Sequence, residues 1–220
     1  MKRVVIAELL DSDAGTKAEI DDSLSDLRRI NERFGGIRTT QSLIERVARE
    51  RARTSFSLLD VASGTGHATD LVRKRLQVRG LQLQLTFLDR ASSHLTNGNR
   101  VVAGDALQLP FRDRSFDLVS CNLFLHHLGP RQVQQFADEG LRVCREAFLA
   151  NDVTRSRIHL ALVYAALPLF RSRLTRHDAP ASVRQAYSPA EMCELLAKTC
   201  ASRIEISRHY LFRMAVIAWK

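Results

Sequence analysis

The sequence predicts an α/β fold, a mostly parallel sheet with helices on both faces. Two observations carry this reading. Short apolar runs alternate with longer segments of helical periodicity, which is the rhythm of strand–crossover–strand units. The chain then closes on two strand-like segments joined by a tight turn, which sets one edge antiparallel. Its 220 residues, 45% of them hydrophobic, suit one domain with a small appendage.

The elements follow in order. Ile20, Leu24, Leu27 and Ile30 recur at helical spacing, and Phe34-Gly35-Gly36 ends that helix. Thr39 or Thr40 is expected to cap a second helix to about Ala52, with Leu43, Ile44 and Val47 on one face. Phe56 to Val61 is a short apolar strand, and Thr65 to Val78 a helix with Ala68, Leu71 and Val72 inward. The stretch LQLQLTFLD alternates as a strand does, RVVAG is a third strand and SFDLVSCNLF a fourth. Pro130 can open a helix running to about Cys144, and REAFLAND is a fifth strand. An apolar helix reaches about Phe170, with His177 in a loop beyond it. Ser188-Pro189-Ala190-Glu191 has the form of a capping box, and SRIEIS and YLFRMAVIAW are the closing strands. These segments divide into an N-terminal helical lid over 1–53 and a core over 54–220, with a helical insertion at about 153–187 that would shape a ligand pocket.

Composition narrows the function classes. The longest mostly apolar stretch, Ile158 to Phe170, is 13 residues and includes His159; a membrane helix needs about 20. The basic start is followed at once by acids, so no signal peptide is read and a cytoplasmic location is expected. The four cysteines lack C-x-x-C spacing, which points to reduced thiols and to no metal site. The net charge of +9 keeps an RNA-binding reading open. Residues 1–50 carry 9 Lys/Arg and 10 Asp/Glu, so the excess lies after them. It is spread out and not interleaved with aromatics, which favours a solvated surface and makes nucleic acid the lesser expectation.

Function is carried by the strand ends. In such a sheet, ligands bind outside the carboxyl ends of the strands, near the switch in strand order. The first strand runs into Ala62-Ser63-Gly64-Thr65-Gly66, where the glycines let backbone pass close to a ligand. Asp60 can face a ligand ammonium or a bound water. A dinucleotide frame would require a third glycine where Thr69 stands. Asp89 closes the second strand, where a carboxylate can accept both hydroxyls of a ribose. Arg90 beside it could instead read a 2′-phosphate, as in a nicotinamide enzyme. Asp105 ends the third strand, where it can accept from an adenine amino group, with the Ala106 N–H complementing the ring.

These pieces, in this order, resemble the class I S-adenosylmethionine-dependent methyltransferase family, whose glycine frame is G-x-G-x-G. The resemblance covers roughly residues 55–152 plus the hairpin at 203–219. Two departures stand out. Ala62 replaces the first glycine, and the 29 residues from Asp60 to Asp89 exceed the roughly 20 of compact nucleotide folds. The resemblance implies a Rossmann-like seven-stranded sheet with strand seven antiparallel. It implies S-adenosylmethionine as methyl donor, held by Asp60, Ala62, Ser63, Gly64, Gly66, Asp89, Arg90, Asp105, Ala106 and Asn122.

The methyl acceptor is narrowed by absences. No Asn/Asp-Pro-Pro-aromatic signature follows strand four, and Cys121 follows Ser120 where a pyrimidine-carbon enzyme would place a Pro-Cys pair. What remains resembles the small-molecule branch. A general base helps if the acceptor is a hydroxyl or an acidic carbon, and His126, His127 and His177 are the candidates. Asn151, Asp152, Tyr164 and Tyr187 are candidate acceptor contacts. The expected acceptor is apolar, of phenolic, quinone-like or polyketide type, methylated on oxygen or carbon by a monomer or homodimer. An RNA methyltransferase and a non-catalytic protein keeping the fold are the alternatives.

Overall fold

The computed structural model describes residues 1–12, 14–90 and 100–220. Among these, seven strands form one sheet: β1 (Ser55–Val61), β2 (Gln82–Asp89), β3 (Arg100–Ala103), β4 (Phe116–Asn122), β5 (Cys144–Val153), β6 (Arg203–His209) and β7 (Arg213–Trp219). Their order is β3-β2-β1-β4-β5-β7-β6. The pairs from β3 to β5 are parallel, and β7 runs antiparallel to both neighbours. The chain leaves β1 toward one edge and returns to β4 on its other side. This reversal opens a crevice at the carboxyl ends of β1 and β4.

Helices α1 (Lys17–Arg33), α2 (Gly36–Arg51), α3 (His67–Val78), α4 (Pro130–Val143), α5 (Arg157–Ala166), α6 (Arg173–Gln185) and α7 (Pro189–Leu196) complete the described elements. Period-two alternation splits β1 between two apolar layers. Leu59 and Val61 pack with Phe136 and Leu141 of α4 and Met192 and Leu196 of α7. Phe56 and Leu58 pack with Ile37, Ile44 and Val47 of α2 and Val72 and Leu76 of α3. So α2, expected as part of a lid, is built into one face of the sheet. The second helix also begins earlier than its threonines suggested. Gly35, at φ +81°, turns the chain directly from α1 into α2, so Thr39 and Thr40 lie inside α2 and cap nothing.

The remaining helices, α1, α5 and α6, pack on one another above the strand ends. Two expectations are corrected here. The apolar helix stops at Ala166 and gives way to a 3-10 turn over Leu167–Leu169 holding Pro168, and His177 lies within α6, not in a loop. The segment before α1 runs beneath this roof. Arg3 donates to the carbonyls of Gln185 (2.6 Å), His126 and Leu128 (3.0 Å each), and the Asp178 carboxylate accepts from the backbone of Leu9 (2.8 Å) and Leu10 (3.1 Å).

Close packing of α4 on β5 depends on one small residue. A Cβ at Gly140 would stand 2.5 Å from Phe148 Cδ2. Gly140→Ala is therefore expected to destabilise the fold by about 1–3 kcal/mol, seen as a fall in Tm on the order of 5 °C. An unchanged Tm would mean that this face is looser than its geometry.

Candidate active site

A cavity of about 730 Å³ runs from the strand ends to the helical roof, within the 300–1,000 Å³ of small-ligand pockets. Its base is the turn after β1. Ala62 and Gly64 both take left-handed backbone, at φ +54° and +53°. The alanine therefore carries the strain that a glycine would spare. Gly64 borders the cavity with nothing within 4 Å of where a Cβ would project. Its N–H donates to Asp89 Oδ2 at 2.7 Å, tying the turn to the end of β2. Gly66 sits one step back, at φ +68°, where a Cβ would be 2.9 Å from the Phe87 ring. It shapes the start of α3 and does not line the cavity.

The other expected donor contacts gather along the same edge. Asp60, Ala62, Ser63, Asp89, Arg90, Asp105, Ala106 and Asn122 all line the cavity. Asp60 is buried, accepting from Thr69 Oγ1 (2.6 Å) and Ser120 Oγ (2.8 Å). Burial pushes its carboxyl up to about 6, against the pull of those two hydroxyls. Thr69 thus has a positive reason to stand where a dinucleotide fold keeps glycine. Asn122 Nδ2 donates to Thr69 Oγ1 (3.4 Å), and its Oδ1 accepts from Thr40 Oγ1 (2.6 Å) and Asn151 Nδ2 (3.1 Å). Asn151 is consumed in this network, with its Nδ2 also on the Gly36 carbonyl at 2.8 Å.

The expected acceptor side is distributed differently. His126 and His127 line the cavity; His177 does not. His126 is held by Asp152, whose carboxylate takes its backbone N–H (2.9 Å) and its Nδ1 (2.6 Å). On its other side, His126 Nε2 lies 3.4 Å from Glu8. Burial lowers the affinity of His126 for a proton, but Asp152 and Glu8 more than reverse this and raise it to about 10. An imidazole so held is no free base. Tyr187 is buried with its hydroxyl on the Leu128 carbonyl (2.7 Å), and Tyr164 faces outward to Arg184 (2.8 Å). Neither lines the cavity, and neither do Asn151 and Asp152.

His159 was not among the expected candidates and does line the cavity. Its Nδ1 donates to the Thr154 carbonyl at 3.1 Å, and its ring stacks on Phe212. That bond fixes the tautomer and leaves Nε2 as the lone-pair nitrogen, without a partner among the described residues. Burial, helped by the nearby Arg213 cation, keeps the ring neutral by lowering its pKa. The sequence held one sign of it, a histidine interrupting an apolar run. Arg213 borders the same space from the start of β7; burial lowers its pKa to about 10. Leu24, Leu27, Ile30, Leu162 and Phe170 make the roof apolar.

Comparison with known proteins shows what this arrangement is similar to. A family model described as methyltransferase domain matches residues 59–147, from β1 into β5. Demethylmenaquinone methyltransferase of Thermotoga maritima is 34% identical over 91 residues, covering 40% of this chain and 37% of that protein. The enzyme of the same name from Thermobifida fusca is 30% identical over 148 residues, 59% of this chain and 61% of that protein. The matches thus span less than two thirds of either relative. Among solved structures, the plantazolicin methyltransferase BpumL in complex with SAH superposes with a TM-score of 0.67 at 12% identity, covering 93% of this chain and 91% of that one. A SAM-dependent methyltransferase from Aquifex aeolicus gives 0.54 at 15% identity, over 80% and 88%. The chain thus shares the Rossmann-like, seven-stranded fold of these structures, with strand seven antiparallel as expected. Among the described residues no helix is long and apolar enough to cross a membrane.

The buried carboxylate gives this site a pH signature. The raised folded-state pKa of Asp60 means its favourable contribution is complete below about pH 4 and is lost as pH rises toward 6. Asp60→Asn removes that titration. The stability of the variant relative to the wild type should rise by on the order of 3 kcal/mol between pH 4 and 7, measured by urea unfolding at both pH values. A difference independent of pH would contradict the burial of this carboxylate without a counter-ion.

Proposed function

We propose that the chain transfers a methyl group from S-adenosylmethionine to a small apolar acceptor of phenolic, quinone-like or polyketide type. The observation that carries this reading is the continuity of one cavity from the Gly64 turn to an apolar roof. The turn fits the donor, because open space faces Gly64 where any larger residue would intrude. In this reading Ala62, Ser63 and Gly64 take the amino-acid end, Asp89 the ribose hydroxyls, and Asp105 with the Ala106 N–H the adenine. When bound, the donor supplies an activated methyl on a sulfonium. The protein's part is then approach, orientation and exclusion of water.

His159 is the base in this reading, taking a proton from an acceptor hydroxyl on Nε2 while Thr154 holds Nδ1–H. His126 and Asp152 are assigned to shape the wall. Arg213 gives a largely apolar chamber a positive side, which suits an acceptor that carries oxygen. The two demethylmenaquinone methyltransferases support the quinone-like choice within the acceptor class. The lid is assigned to α1 and the segment before it, and the acceptor chamber to α5 and α6.

Calorimetric titration with S-adenosylmethionine should show saturable binding, weakened about 10–100-fold by Asp89→Ala. Absence of binding by the intact protein would defeat the reading. His159→Asn should leave donor affinity unchanged and lower kcat about 10²–10⁴-fold with an acceptor methylated on a hydroxyl. An unchanged kcat would move the base elsewhere.

A further inference from the structure

One corner of the cavity is chemically unlike the rest. Three carboxylates, from Glu8, Asp11 and Asp152, meet the paired rings of His126 and His127. The two Nε2 atoms turn toward Glu8, at 3.4 Å from Oε1 for His126 and 3.9 Å from Oε2 for His127. One donor atom from each of Glu8, His126 and His127 lies within 4.8 Å of the other two. The outward nitrogens are each backed by an acid: His126 Nδ1 by Asp152 at 2.6 Å and His127 Nδ1 by Asp11 at 2.7 Å. Glu8 is itself oriented from α6, its Oε1 accepting from Ser182 Oγ (2.7 Å) and Gln185 Nε2 (2.6 Å).

We propose that Glu8, His126 and His127 bind a divalent transition-metal ion, of the zinc type. Two imidazole nitrogens and one carboxylate oxygen are a donor set suited to zinc, cobalt, iron or manganese. A carboxylate behind each imidazole is the second layer that such sites use to fix the tautomer and aim Nε2 at the metal. The carboxylates of Glu8, Asp11 and Asp152 outnumber the two imidazoles they face, with Arg3 on the His126 carbonyl and Arg213 acting on Asp152 as the neighbouring cations. The three ligands leave a coordination position open, and all three border the cavity. An ion here would pin the N-terminal segment across the chamber. Its use in holding an acceptor oxygen rests on the methyltransferase reading; its binding does not. The expectation of no metal came from cysteine spacing, and spacing along the chain gives no view of Glu8 beside residues 126 and 127.

The test is a titration of chelator-stripped full-length protein with cobalt(II) chloride, followed by visible d–d absorption. Saturable growth of the bands to one equivalent, reversed by zinc, is expected. Glu8→Gln and His127→Gln should each weaken binding at least about tenfold, and Asp11→Asn about tenfold. Thermal melts confirm that each variant is folded. No saturable absorption, or the same curve in the wild type and in folded Glu8→Gln and His127→Gln, would overturn the site and leave the cluster as an ion-paired latch. S-adenosylhomocysteine calorimetry on the same samples separates the two proposals. Donor binding without cobalt binding defeats only the metal site, whereas cobalt binding without donor binding defeats the methyl-transfer reading.

Discussion

The site depends on one buried carboxylate. Asp60 stands at the end of β1, where the strand order reverses, and accepts from Thr69 on α3 and Ser120 on β4. The base of the cavity at this switch point is thus laced by side-chain hydrogen bonds. From Thr69 the network runs to Asn122, then to Thr40 and Asn151, and ends on the Gly36 carbonyl. Five elements, β1, α3, β4, α2 and β5, are fixed by it at the same level. Buried polar networks of this kind rigidify when their members find partners. The Gly64 turn is held above this floor by its N–H donating to the Asp89 carboxylate.

Above the floor, charge is arranged by position. The edge near β2 and β3 carries Asp89 and Asp105, bordering the space where a polar cofactor would lie. The roof of α1, α5 and α6 is largely aliphatic and aromatic, with His159 on α5 and Arg213 of β7 among the polar groups that border it. The far corner concentrates Glu8, Asp11, Asp152 and two histidines. The N-terminal segment reaches this corner because Arg3 and Asp178 lace it to the wall. The chamber is therefore completed by the first residues of the chain.

Much of this was legible in the sequence, and the boundary has a physical cause. The strands, the capping box at Ser188 and the glycine turn follow from local periodicity and turn chemistry, which one segment can express alone. That Asp60, Ala62, Ser63, Asp89, Asp105 and Asn122 border one cavity was legible too, because they sit at or just beyond strand ends and the sheet brings strand ends together. The roof was not. Whether Tyr187 faces a cavity or a backbone carbonyl depends on how α6 packs, which no spacing reveals. Thr39 and Thr40 looked like caps, but the left-handed Gly35 started α2 before them. His126 and His127 were indistinguishable in sequence; Asp152, brought in by β5, separates them. His159 acquires its tautomer from a carbonyl five residues away and its neutrality from burial, and only the first of these is local.

The central claim is that the Gly64 turn, Asp89 and Asp105 hold the donor with its methyl toward the apolar roof. A crystal structure of the protein with S-adenosylhomocysteine tests it most directly. The account places the amino-acid end against Ala62–Gly64, the ribose on Asp89, the adenine beside Asp105 and Ala106, and the sulfur facing the chamber bordered by His159. A ligand bound elsewhere, or lying in the cleft with its sulfur turned away from that chamber, would contradict it.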